Sequence, residues 1–242
     1  MTQTPSWPDF GARLAAGAVP LLPFGAYEQH GPHLPLDTDT MMAAGLCRSL
    51  EGRLDALVLP AVGYGQTTDN DGFPGTLSLS FDTVRAVLAD IATALHRQRA
   101  RALVVVNGDF GNRAPLRIAT AESTARLGFP ILVVDYPGLD EAAAAVCTST
   151  PAGFGLRHAD EFETSILLAL APESVEMTRA VAEYPEFPAT FPAVQPGLHE
   201  LSRTGVFGDP TTATAAKGEA LLDLLTENAL ALIRGFLAGL EA

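Results

Sequence analysis

Short apolar runs alternate along the chain with longer stretches in which apolar residues recur every three or four positions. Residues 19–24, 56–62, 102–106 and 131–134 are dense in Val, Leu and Ile, as strands buried on both faces are. Residues 39–50, 83–97, 112–127 and 139–146 have the length and spacing of helices. Strand–helix alternation of this kind predicts an α/β fold, a three-layer α/β/α sandwich with a mostly parallel central sheet. Further helices are expected over 161–171 and about 213–240, separated by a Pro-rich loop at 184–196. A loop of that length shapes a pocket or a contact between subunits. No repeat or linker interrupts the pattern, so a single domain over residues 1–242 is expected.

In an open parallel sheet, ligands bind beyond the carboxyl ends of the strands. Polar clusters follow three of those ends here, at 25–39, 63–71 and 107–112. The first reads Gly-Ala-Tyr-Glu-Gln-His-Gly-Pro-His-Leu-Pro-Leu-Asp-Thr-Asp and holds Glu28, His30, His33, Asp37 and Asp39. Carboxylates and imidazoles gathered this densely in a partly buried cleft repel one another or stay desolvated unless a cation collects them. Glu28 and His30, two positions apart, project to the same side of an extended segment, as ligands of a shared metal site must. Asp39 begins a helix and could be its N-cap, but Thr38 or Asp37 could cap equally well and leave Asp39 free to bridge two cations. His33 is either a contact to substrate or ligand residues or an ordinary side chain.

Beyond the third strand, Asn107-Gly-Asp-Phe-Gly-Asn permits a tight strand-to-helix turn that presents Asp109 at the sheet edge. In His158-Ala-Asp-Glu-Phe-Glu-Thr-Ser, helical spacing puts His158 and Glu161 on one face. Glu163 stands in line with Ile166, Leu167 and Leu170, where a carboxylate needs a backbone donor, an Arg or a metal.

Charge narrows the partners. A formal net charge of −13 with no Lys/Arg cluster disfavours nucleic acid and anionic membranes. The start of the chain lacks a leader pattern, and no apolar run is long enough to span a bilayer, so a soluble cytoplasmic protein is expected. Cys47 and Cys147 sit in Ala/Leu-rich stretches and read as buried, reduced thiols. Lys217 is the single lysine, which removes Schiff-base chemistry at almost every position.

These blocks, together with Gly72-Phe-Pro-Gly-Thr and Gly205-Val-Phe-Gly-Asp-Pro, resemble the creatininase (creatinine amidohydrolase) family over most of the chain, including the processing peptidases of mycofactocin biosynthesis. The resemblance implies two divalent ions per chain (Zn, Mn or Fe), hydrolysis of a C–N bond in a small cyclic amide or a short peptide by activated water, and a homo-oligomer, often a hexamer. It implies Glu28 on one ion, His30 on the other and Asp39 between them, with His158 moving a proton to the leaving nitrogen and Glu163 orienting His158 or the water.

The chain is an atypical member by this reading. Asp109 stands where the family usually has a His ligand, and Gly111 where creatininase has a Glu ligand. Asn70 and Asp160 replace a His and a Gly of many relatives. Asp109 is expected to remain a ligand, with a harder oxygen donor that favours Mn²⁺, Fe²⁺ or Mg²⁺. Glu161 is the expected replacement for the missing Glu, with Glu163 as its competitor. The departures leave open a catalytically silent binding or assembly subunit and a metal-dependent lyase or isomerase.

Overall fold

The structure is a computed structural model in which residues 5–241 are described. Four parallel strands, β1 (Val19–Phe24), β2 (Ala56–Val58), β3 (Leu103–Asn107) and β4 (Ile131–Val134), form one sheet in the order β2-β1-β3-β4. The helices are α1 (Trp7–Ala15), α2 (Thr38–Glu51), α3 (Phe81–Arg97), α4 (Arg113–Leu127), α5 (Leu139–Val146), α6 (Glu161–Leu170), the single-turn α7 (Leu198–Leu201) and α8 (Ala215–Gly239).

Side-chain alternation on the strands builds two cores. Val19 and Leu21 of β1 with Val104 and Val106 of β3 pack against residues of α2, α5, α6 and α8. Leu22 and Phe24 with Leu103 and Val105 pack on the other face against residues of α1, α3 and α4. Because both faces are covered, the period-two pattern appears as a continuous apolar run, which is how the sequence displays it. The three-layer α/β architecture expected from the sequence is therefore present.

The elements differ in detail from the sequence reading. Residues 56–62 do not form one strand: β2 ends at Val58, and after Leu59 and Pro60 only a bridge between Phe24 and Val62 continues the pairing. Pro60 has no N–H to donate to a ladder. Helix α1 gives little helical signal in the sequence, because Pro8 and Gly11 break its propensity; Pro8 is tolerated where first-turn N–H groups have no helical partner anyway. Cys47 is buried, Cys147 is half-buried, and both are free. Among the described residues, no helix is long and apolar enough to cross a membrane.

One close approach fixes the geometry of the sheet edge. A Cβ on Gly108 would lie 2.3 Å from the backbone oxygen of Asp39, so only glycine lets the start of α2 settle against the end of β3. That contact brings Asp39 beside Asp109.

Candidate metal centre

The loop after β1 is closed by the Glu28 N–H donating to Leu36 O at 2.9 Å, and by Leu77 N–H donating to Tyr27 O at 2.9 Å. Within it His30 is fully buried, and its Nδ1–H donates to the Glu28 backbone carbonyl at 3.1 Å. That bond leaves Nε2 facing Asp39 Oδ1 at 3.1 Å and Glu163 Oε2 at 3.7 Å. Asp37, not Asp39, stands at the N-cap position of α2, and its carbonyl accepts from Met41 N–H. Asp39 therefore spends no side-chain oxygen on capping, and its buried Oδ2 has no partner. Asp109 follows β3; its Oδ1 accepts from Gly111 N–H at 2.9 Å, while its Oδ2 is likewise buried without a donor.

Three sets of donor atoms lie within 4.8 Å of one another: Glu28, Asp39 and Asp109; His30, Asp39 and Glu163; and Glu28, His30 and His158. Asp39 belongs to the first two. A carboxylate oxygen buried with no donor loses its hydration without compensation, at a cost of roughly 1–3 kcal/mol or more when charged. Two such oxygens, on neighbouring carboxylates, are what a bound cation would satisfy. Hard oxygens with one or two imidazoles suit Mn²⁺, Fe²⁺ or Zn²⁺.

The electrostatics without an ion show the same strain. Burial, followed by the charges of Asp109 and Asp39, pushes the Glu28 carboxyl well above the ordinary carboxylate range. Asp109 is raised in the same way by burial and Asp39. Burial lifts Glu163 to about 8, with Asp39 adding to the rise and His30 opposing it. For His30 burial works the other way, yet Asp39 and Glu163 overcome it and raise the imidazole to about 9. All four shifts favour the protonated forms, the charge balance that a bound cation would reverse.

Glu161, expected as the replacement ligand, is not brought to this cluster. Its buried carboxylate accepts from Thr148 N–H at 2.9 Å and Ser149 N–H at 2.6 Å and is paired with Lys217. The helix does not already run at His158, as helical spacing between His158 and Glu161 requires. It begins instead at Glu161, capped by Asp160, whose Oδ1 accepts from Phe162 and Glu163 N–H. Ala159 turns the chain with φ 51°, and His158 lies in an isolated antiparallel bridge with Phe207. Glu161 consequently points to α8, and Glu163, expected to orient His158 or the water, is the carboxylate that joins His30 and Asp39. Gly111 has no room for a glutamate, since a Cβ there would lie 1.9 Å from Gln66 O.

His158 does reach the site. Its Nε2–H donates to Gln29 O at 2.7 Å, so Nδ1 carries the lone pair, 3.9 Å from Glu28 Oε1. Burial and the neighbouring His30 hold its basicity well below the ordinary imidazole range. His33 lies behind, its Nε2 bonded to Thr164 Oγ1 at 2.9 Å, and burial and His30 lower it to about 4.

Two residues at the cleft escaped the sequence reading. The Gln29 amide contacts Asn70 Oδ1 at 2.9 Å and Gly205 O at 3.1 Å and lies against His158; Asn70 in turn donates to Glu28 Oε2 at 2.8 Å. Alternation along an extended segment points Gln29 away from Glu28 and His30, and only the returning chain at 158 and 205 gives that side partners. The other is Arg157, which lines the cleft beside Asp69, Phe110, Tyr136 and Leu156.

Residues 3–233 match the family model described as Creatininase: Creatinine amidohydrolase. The chain is 32% identical over 247 residues to creatinine amidohydrolase of Pseudomonas putida, covering 95% of this chain and 94% of that one. It is 36% identical over 221 residues to the mycofactocin precursor peptide peptidase of Mycobacterium tuberculosis, covering 86% and 81%. A solved structure described as creatininase Mn superimposes with a TM-score of 0.85 at 29% identity, covering 96% of each chain.

Proposed function

The chain belongs to the creatininase family of amidohydrolases, and from that premise we propose that it hydrolyses a C–N bond at a dinuclear divalent-metal site built on Glu28, Asp39 and Asp109 on one side and His30, Asp39 and Glu163 on the other. The observation that carries this reading is that Asp39 is shared by both donor sets while its own Oδ2 and the Oδ2 of Asp109 are buried without donors. Divalent ions held there would polarise a carbonyl and lower the pKa of water toward about 7.

The chain's own residues supply the rest. His30 is fixed with Nε2 toward the site by the Glu28 carbonyl, so it is presented as a ligand without rearrangement. Asn70 holds one oxygen of Glu28, and Gly111 one oxygen of Asp109, leaving the other oxygen of each to face inward. His158 is neutral at pH 7, with its Nδ1 lone pair directed at the cluster, so it accepts a proton from water and delivers it to the leaving nitrogen. The water oxygen bonds to the carbonyl carbon, the C–N bond breaks, and the amine departs carrying that proton. Phe110, Tyr136, Leu139, Leu156, Phe162 and Leu198 wall the cleft and limit water around the reacting bond. The substrate is a small cyclic amide or a short peptide.

Elemental analysis of protein purified without chelator or His-tag, beside Asp39→Ala and Asp109→Ala, tests the reading. Two ions per chain in the parent, with large losses in both variants, are expected. A parent that stays well below one ion per chain after reconstitution with Mn²⁺, Fe²⁺ and Zn²⁺ would refute it and favour a silent binding subunit.

A further inference from the structure

Arg157 immediately precedes His158 and lines the same cleft as Glu28, Asp109 and Glu163. Its side chain is only 9% exposed. Among the described residues its guanidinium makes a single hydrogen bond, from Nη1 to Asp160 Oδ2 at 3.3 Å. Asp160 meanwhile commits its other oxygen to capping α6. Arg157 Nε is buried with no partner at all. A buried guanidinium presents five donors in a planar fork, and leaving most of them unmatched is unfavourable. Among the described residues lining this cleft, Arg157 is the only Lys or Arg, while Asp69, Glu28, Asp39, Asp109 and Glu163 are acidic. Arg157, with Phe110, Tyr136 and Leu139, also lines a neighbouring cavity.

We propose that Arg157 binds a carboxylate of the substrate, so that the bond cleaved lies in an N-acylated amino acid or peptide with a free carboxylate near the scissile amide, rather than in a neutral lactam. This inference rests on the amidohydrolase reading for its site, and it deepens that reading by naming the substrate class. A carboxylate matches the unfilled side of the fork, and a bidentate pair adds orientation to affinity. It would hold the amide at a fixed distance from His158, the adjacent residue.

The test is calorimetric titration with N-methanesulfonyl-alanine, whose sulfonamide cannot undergo amide hydrolysis, and with its carboxamide, on metal-loaded parent, Arg157→Gln and Arg157→Lys proteins. The acid is expected to bind the parent about tenfold more tightly than the carboxamide, as hydrogen bonds to charged groups warrant. That ratio should fall to about one in Arg157→Gln and be partly retained in Arg157→Lys. A ratio near one in the parent overturns the proposal. So does an unchanged ratio in Arg157→Gln, which would put the carboxylate on the metal ions or reduce Arg157 to a brace for Asp160. Metal content measured on the same samples separates the two readings. A metal-replete parent without the preference refutes the carboxylate pocket alone. A protein that retains no metal yet keeps an Arg157-dependent preference refutes the hydrolase reading alone.

Discussion

Glu161 and Glu163 lie two residues apart on α6, and replacing each with Gln should produce opposite phenotypes. Burial would raise the Glu161 carboxyl, but Lys217 together with Ser149 and Thr148 overcomes burial and lowers it from the ordinary 4.5 to about 2. At ~1.4 kcal/mol per pH unit, that gap corresponds to about 3 kcal/mol of stability at neutral pH. The same size follows independently from breaking a buried ion pair by removing one partner, about 3–5 kcal/mol. Glu161→Gln should therefore lower the melting temperature by about 10 °C at pH 7 for a chain of this length. Its metal content should be unchanged, because the carboxylate faces Lys217 and the 148–149 backbone. The sign with pH follows from the lowered folded value. The contribution is complete above about 4.5 and is lost as pH falls toward about 2, so parent and variant melting curves should converge in acid. Glu163→Gln should instead leave a stable fold with reduced metal. Thermal melts and elemental analysis on both variants decide the matter. A Glu161→Gln protein that melts like the parent but has lost metal would refute the reasoning.

Four further outcomes are expected. Chelated protein should lose stability as pH rises from about 5 to about 8, because Glu163 is raised from 4.5 to about 8 in the fold and the folded state then binds more protons than the unfolded one; urea titrations at several pH values measure the slope, which metal should abolish. Metal binding near pH 6 should release protons from Glu163 and His30, raised to about 8 and about 9, seen as a buffer-dependent heat in calorimetry. Asn70→Ala should weaken metal retention about 10–100-fold by freeing Glu28, with little change in melting of the chelated protein. Turnover in ¹⁸O-labelled water should place the label in the product carboxylate; an unlabelled product would indicate lyase or isomerase chemistry.

By itself the sequence determined the layers and the density of ligands. Strands such as Val19–Phe24, buried on both faces, declare themselves as unbroken apolar runs, and the density of carboxylates and imidazoles from Glu28 to Asp39 marks that block as a candidate metal site. What it could not fix was direction. Whether Glu161 or Glu163 reaches His30 depends on where α6 starts, and that is settled by Asp160 capping it and by the left-handed turn at Ala159. Lys217, fifty-six positions from Glu161, captures that carboxylate only because α8 packs on α6. Gln29 gains its partners the same way, from Asn70, His158 and Gly205, all distant in the chain. Local spacing governs which residues share a face within an element, but an element's end and its packing partners decide what that face meets.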